Sequence, residues 1–367
     1  MTAIGIMSLH LESEAPYINE IAALAKSYGM ECCRFIPSRI HPHTQQVKGM
    51  KYDSEANGWM DAEFPVPAIL YDRCFYGEDE HSKQCLAIVS WLKKRGDVTF
   101  LGYGLPNKLE LYDTLKTTKL SPYLPQSQPA NDSKAVLKEL AAKDRIILKP
   151  INGSQGHGIY FLKRSNKTIH VKTEKQNKLV SRIFPNESKF MKWLDSLVTR
   201  FPYMMQPYYE LYNQNLQPFD IRVLLQKNEQ GKWRELGRGI RIGQSGGILS
   251  NLSAGGSVIS FSEWISSLPP SSADYIKQEL HYILTELPKL LEKEFLPLFE
   301  IGADIGIAKN GSIWILDINS KPGRKVLLQT HPELAETLYR APLLYGRYLS
   351  QKEQTERKSI YARTLSH

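Results

Sequence analysis

The stretch Ile301-Gly-Ala-Asp304-Ile-Gly-Ile-Ala-Lys309-Asn310-Gly311-Ser312-Ile-Trp-Ile-Leu-Asp317-Ile-Asn319 consists of two apolar runs joined by Asn-Gly, the strongest short-range signal for a β-hairpin. A two-residue loop at Asn310 and Gly311 pairs Lys309 with Ser312, and counting back along both strands sets Asp304 opposite Asp317. Alternation then puts Asp317 and Asn319 on one face with Gly302, Asp304, Gly306 and Ala308, small residues that leave room for a ligand. Ile305, Ile307, Trp314, Leu316 and Ile318 make the opposite, core-facing side. Two carboxylates with Cβ atoms about 5 Å apart repel by roughly 3 kcal/mol at an effective dielectric of about 20. A cation relieves that cost. Two carboxylates and an amide oxygen suit magnesium, a hard ion that shares its remaining positions with water and phosphates. Asp304, Asp317 and Asn319 are therefore the candidate metal ligands, the alternative being a solvated acidic pair on an edge hairpin.

Upstream, Arg145-Ile-Ile-Leu-Lys149-Pro150 reads as a strand, and Gly153, Ser154, Gln155, Gly156, His157 and Gly158 follow before the next strand at Ile159-Tyr-Phe-Leu162. Strand, glycine loop, strand describes a flap whose backbone N–H groups converge on an anion while Lys149 supplies a point charge. An ordinary glycine-rich hairpin has the same composition, and G-x-x-x-x-G-K-[ST] is absent, so this is no P-loop. Tyr203-Met-Met-Gln206-Pro-Tyr208-Tyr-Glu210 runs from an apolar strand into a polar aromatic stretch suited to a flat heterocycle and ribose hydroxyls, or to a strand end with surface tyrosines. Asp220 and Arg222 share one face of the strand after Phe219, and Arg238 and Arg241 lie in the next. Arginines there would bind a transferring phosphoryl group or a carboxylate, or make a surface pair with Asp220. Ser250-Asn251-Leu-Ser-Ala-Gly255-Gly256 is a second glycine-bearing polar loop.

The first hundred residues alternate strand and helix as a small doubly wound α/β domain. Strands are predicted at Ala3 to Leu9, Cys32 to Ile36, Pro67 to Tyr71 and Val98 to Leu101. Between them run a helix capped by Ser13 and stopped at Gly29, and another from His81 to Arg95. With no G-x-G-x-x-G after the first strand, a dinucleotide is not expected there. Asn107 and Glu110 form a capping box for a helix reaching Lys116, Leu120 to Pro129 is a proline-rich linker, and helices follow from Asp132 to Lys143 and Ser272 to Glu294. The 47 Lys and Arg outnumber 38 Asp and Glu by nine, spread without a basic block, which favours an acidic small molecule or peptide over nucleic acid. No run of eighteen apolar residues suggests a membrane span, and the start reads as a strand, not a secretion signal. Cys32, Cys33, Cys74 and Cys85 lack metal spacing and are read as buried thiols.

In their order along residues 107–347 these segments resemble the ATP-grasp superfamily: Lys149 with the glycine flap, Gln206-Pro-Tyr-Tyr as the adenine hinge, Asp220-Ile-Arg222, Ser250-Asn251-Leu with Gly255-Gly256, Gly302-Ala-Asp304, and Leu316-Asp-Ile-Asn319-Ser-Lys-Pro-Gly323. Lys-Pro-Ile-Asn-Gly-Ser-Gln-Gly and Asp-Ile-Asn-Ser-Lys-Pro-Gly-Arg are similar to the YheC/YheD-like group, described as endospore coat-associated proteins. Asp317 departs from the Glu carried by many ATP-grasp ligases, which bears on metal count. The resemblance implies an N-terminal α/β domain (1–106), a two-subdomain ATP-grasp fold (107–200 and 201–347) and a charged tail (348–367). It implies ATP and Mg2+ as cofactors, an acylphosphate on an unidentified carboxylate substrate, acidic or peptidic, and attack by an amine or thiol. Coat-associated partners and a mother-cell cytoplasmic location follow from it too. The alternative is a coat scaffold with weak or no catalysis. Residue by residue, it implies that Lys116, Lys149 and the flap (Gly153, Ser154, Gln155, Gly156, Gly158) meet phosphates. Gln206, Tyr208, Glu210 and Asp220 would meet adenosine; Arg222, Arg241 and Asn251 would serve catalysis; Arg238 and Arg324 are substrate candidates.

Overall fold

The structure is a computed structural model that describes residues 2–153, 157–175, 178–250 and 255–364, with backbone only beyond residue 352. Three sheets carry it. In the first, β1 (Thr2–Met7), β2 (Met30–Phe35), β5 (Ile69–Asp72) and β6 (Thr99–Phe100) are parallel, and β3 (Gln46–Asp53) with β4 (Gly58–Pro65) adds an antiparallel hairpin that the sequence reading left out, giving the order β4-β3-β2-β1-β5-β6. Alternation along β1 sends Ile4 and Ile6 to helix α1 (Ala15–Ala25), and Met7 to helix α2 (Glu80–Leu92) on the other face, so the unit is doubly wound as expected. Gly29 ends the first helical segment with φ +69°, but Ser13 does not cap it. Glu14 holds the cap position with φ 51° and no cap hydrogen bond, its carboxylate being committed to Arg73. All four cysteines are buried and free.

Helix α3 (Lys108–Leu115) starts at Asn107, whose Oδ1 accepts from the Leu109 and Glu110 amides. The second sheet is antiparallel, ordered β11-β10-β9-β8-β12-β7, from β7 (Gln128–Pro129), β8 (Arg145–Pro150), β9 (Tyr160–Ser165), β10 (Thr168–Lys175), β11 (Lys178–Phe184) and β12 (Tyr203–Pro207). Ile146 and Leu148 pack on α4 (Ser133–Lys143) and α5 (Glu187–Arg200), which turns Ile147 and Lys149 to the opposite, open face.

The third sheet, ordered β15-β14-β13-β16-β17, contains β13 (Phe219–Lys227), β14 (Trp233–Ile242), β15 (Ser257–Ser260), β16 (Glu300–Ile307) and β17 (Ile313–Asn319). Helix α6 (Phe261–Ser266) precedes α7 (Pro270–Glu294), which buries Ile276, Leu280, Ile283 and Leu287 against Ile221, Val223, Ile301 and Ile305. After α8 (Lys325–Thr330) comes α9 (Ala335–Thr364), so the expected charged tail continues a helix. That helix returns to the first sheet, where Ala341, Leu343 and Tyr345 join the cluster of Ile4, Ile6 and Ile18.

Hairpin β16–β17 pairs Asp304 with Asp317, as expected, by a route the sequence reading missed. The turn closes with Gly311 N on Ala308 O and Ala308 N on Ser312 O, a three-residue loop with Gly311 at φ +84°, one residue longer than the predicted loop. A bulge between Asp304 and Ile305 then restores the count. Its consequence is a correction of the faces. Trp314, paired with Gly306, and Leu316 lie on the site side, while Ile313 and Ile315 take the core positions. Nor do the glycines leave ligand space: a Cβ on Gly302 would stand 2.7 Å from Pro322 and one on Gly306 2.9 Å from Leu211. Those positions let the protein's own loops close on the sheet.

Candidate active site

Between the open faces of the second and third sheets lies a cavity of about 660 Å³, reached also by Glu14 and Phe75 of the first unit. On its third-sheet wall, Arg241 Nε and Nη2 bind Asp220 at 2.7 and 2.6 Å, and Nη2 reaches Asp304 at 2.9 Å. Arg222 pairs with the other oxygen of Asp304, and Ser250 donates to Asp220. Burial opposes the charge on Asp304, but the two guanidiniums outweigh it and hold the carboxyl down to about 2. Burial opposes the charge on Arg241 too, but Asp220 and Asp304 push it above its ordinary value. On β17, Asp317 pairs with Lys108 and accepts from Asn319 Nδ2 at 3.2 Å.

The expected carboxylate repulsion is therefore relieved by side chains: two arginines on Asp304 and a lysine on Asp317. Among the described residues no three His, Cys, Asp or Glu side chains cluster as a metal site. The oxygen donors of Asp304, Asp317 and Asn319 nevertheless share the hairpin's site face, and Asn319 spends only its amide N–H, which fits a hard cation that displaces Lys108.

Facing them, Lys149 lies with its ammonium 3.4 Å from Leu316 O. Burial lowers it to about 8, with Lys108 adding to the shift and Asp317 opposing it. Gln206, buried, donates to Ser127 Oγ at 2.7 Å; Tyr208 sits edge-on to Phe161 with centroids 4.7 Å apart. Tyr209 stacks on Trp314 at 4.1 Å and joins β17 to the segment after β12. Gly153 lines the cavity, and Gly158 turns the flap with φ +74°. Ser154, Gln155, Gly156 and Asn251 lie outside the described residues.

Four expected residues are elsewhere. Lys116 pairs with Asp113 on the surface of α3, and Lys108, eight residues earlier, faces Asp317 instead. Both are lysines of one helix; a register taken from the Asn107 cap puts Lys108 at the first turn, about 12 Å along the axis from Lys116. Glu210 points outward to Arg145 at 2.8 Å. Arg238 pairs with Glu235 beneath Phe261. Arg324 is buried, donating to Glu300 at 2.8 Å and packed 3.6 Å over Tyr17. Sequence reasoning also missed Lys321, whose ammonium meets Asp72 at 2.7 Å on the cavity's rim.

A family model described as YheC/D like ATP-grasp matches residues 97–349, more than half of the chain. The chain belongs to that family. Among the relatives of this ATP-grasp chain are two proteins of Bacillus subtilis (strain 168). The endospore coat-associated protein YheC is 38% identical over 368 residues, covering 98% of this chain and 100% of that protein. The endospore coat-associated protein YheD is 26% identical, covering 94% and 76%. D-cycloserine synthetase (TM-score 0.55, 10% identity, 95% and 99% of the two chains) and D-alanyl-alanine synthetase A from Vibrio cholerae O1 biovar eltor str. N16961 (0.54, 11%, 95% and 99%) share the fold. No helix among the described residues is long and apolar enough to cross a membrane.

Proposed function

We propose that this chain is an ATP- and magnesium-dependent ligase that activates a carboxylate as an acylphosphate and passes the acyl group to an amine or a thiol, in association with the bacterial spore coat. The reading is carried by one observation: two lysines from separate elements, Lys108 and Lys149, face the Arg222–Asp304–Arg241–Asp220 cluster across a single cavity. Phosphoryl transfer chiefly needs positioning and charge neutralisation, and both would come here from side chains on strands and on helix α3. Lys149, Lys108 and the flap would hold phosphate oxygens, while Gln206, Tyr208 and Asp220 would meet the nucleoside. Asp304, Asp317 and Asn319 would hold magnesium, which supplies further neutralisation of the phosphates when bound. A substrate carboxylate oxygen attacks the γ-phosphorus as its bond to the bridging oxygen of ADP breaks. An amine nitrogen then attacks the acyl carbon, phosphate leaves, and the amine proton passes to water. Arg222 and Arg241, pinned by Asp304 and Asp220, would face the charge that develops in both steps, and Asn251 would be a further catalytic residue.

A second reading has an observation of its own. Every carboxylate in the cluster already has a cationic partner, as a nucleotide-free coat scaffold would require. Calorimetric titration with a non-hydrolysable ATP analogue, with and without magnesium, separates the two. Magnesium-dependent binding is expected, at least tenfold weaker (about 1.4 kcal/mol) in Asp317→Ala and Lys108→Ala and unchanged in Lys116→Ala. No binding by the unaltered protein would sink the ligase reading and leave the scaffold.

A further inference from the structure

Strand β11 ends the second sheet, with β10 on one side and, among the described residues, no strand on the other. Every residue from Lys178 to Ile183 is exposed, including Leu179 at 43%, Val180 at 44% and Ile183 at 60%. Its register with β10 is continuous from Lys175↔Lys178 to Ile169↔Phe184, without a bulge, and it contains no proline. Proteins usually blunt such edges, since a long flat strand with open N–H and C=O groups accepts another strand. Here the only blunting is charge of one sign.

Residues 160–184 hold seven Lys and Arg against Glu174 alone, six of the chain's nine net positive charges; strand pairing gathers what looked dispersed in the sequence. Arg164 pairs with Glu187 at 2.9 Å, and Arg182 lies 4.5 Å over its neighbour Phe184. Lys163, Lys167, Lys172, Lys175 and Lys178 make no ion pair among the described residues. Glu174 is spent on the Ile248 and Leu249 amides at 2.7 and 3.1 Å, so the free charge of this hairpin is wholly positive, with Lys163 and Lys172 on the face of Ser181 and Lys175, Lys178 and Arg182 on the other. Cross-strand partners Phe161, Lys172 and Ser181 carry the face from Tyr208 at the cavity out to β11, about 14 Å from β8 at three strand spacings.

We propose that β11 is a docking strand for an extended acidic polypeptide segment, which adds a seventh strand to the second sheet by main-chain pairing, with Leu179 and Ile183 taking its apolar side chains and the lysines its carboxylates. A second copy of this chain is disfavoured because antiparallel β11–β11 pairing would press two basic faces together. Nucleic acid is disfavoured because the exposed apolar side chains of β11 are aliphatic and offer bases no stacking platform. The docking needs no ATP chemistry and stands apart from the ligase reading.

The test is fluorescence anisotropy of the full chain with a labelled peptide of alternating Glu and Val. Controls are the same peptide with prolines replacing alternate valines, so that charge is kept and strand donors are lost, and a twelve-residue oligouridylate. Saturable binding of the Glu-Val peptide is expected. It should weaken at least tenfold in Lys178→Glu/Arg182→Glu and in Leu179→Ser/Ile183→Ser, with ATP-analogue affinity and melting temperature unchanged in both. The proposal is overturned by no binding, by equal binding of the proline peptide, by tighter binding of the oligouridylate, or by sedimentation showing a dimer that Lys178→Glu/Arg182→Glu abolishes.

Discussion

Lys149 carries the most consequential single charge in the cavity, because its position sets when that charge exists. Ordinary lysine keeps its proton to about 10.4, whereas burial brings Lys149 down to about 8. Between those values the unfolded chain binds more protons than the folded one, so this group's contribution to stability rises with pH across that window. Anion binding has the opposite sign, since a phosphate favours the protonated form. The affinity for a non-hydrolysable ATP analogue should therefore fall as pH rises through about 8, and the fall should flatten in Lys149→Arg, whose guanidinium stays charged; an unaltered slope in that variant refutes the assignment. At this scale the sequence named Lys149, Asp220, Arg222, Arg241, Asp304, Asp317 and Asn319 from alternation and order alone. It named Lys116 and passed over Lys108, because residue type is identical and only the position along α3 separates them.

The hairpin β16–β17 shows what a strand pattern can and cannot say. Period-two alternation gave the Asp304–Asp317 pair, yet a three-residue turn and a bulge, each displacing the register by one, cancelled on the way. The count survived; the faces of Trp314 and Leu316 did not, because the β17 residues between the turn and the bulge are inverted while Ile305 and Ile307 of β16 stay in the core. Glycine was ambiguous for a similar reason: lack of a side chain signals close approach, without saying whether ligand or protein approaches. Gly302 meets Pro322, and Gly306 meets Leu211. Gly302→Ala should thus destabilise by overpacking, by about 1–3 kcal/mol, visible as a lower urea midpoint, while a ligand-facing glycine would leave that midpoint unchanged and alter affinity alone.

Across the whole molecule, a buried polar cluster fastens the first unit to the β16–β17 hairpin and the segment after it. Arg73 binds Glu14 through Nε at 2.7 Å and Glu300 at 2.7 Å, and Arg324 joins Glu300 and Tyr71. The pairs span 24 to 253 residues in sequence, so no local pattern exposes them, and Arg324, beside the Pro322-Gly323 motif, read as a substrate contact. Removing the central charge leaves two buried guanidiniums facing each other. Glu300→Gln should cost about 3–5 kcal/mol in chemical denaturation, and a loss below 1 kcal/mol would show that the cluster is solvated in solution.

The return of α9 to the first sheet has a consequence for synthesis. Ile4, Ile6 and Ile18 leave the ribosome some three hundred residues ahead of their covering partners Ala341, Leu343 and Tyr345. At translation rates of about 5–20 residues per second, one apolar face of the nascent α/β unit stays bare for roughly 15–60 s, a period in which a holding chaperone has a surface to bind and the emerging chain a reason to need one.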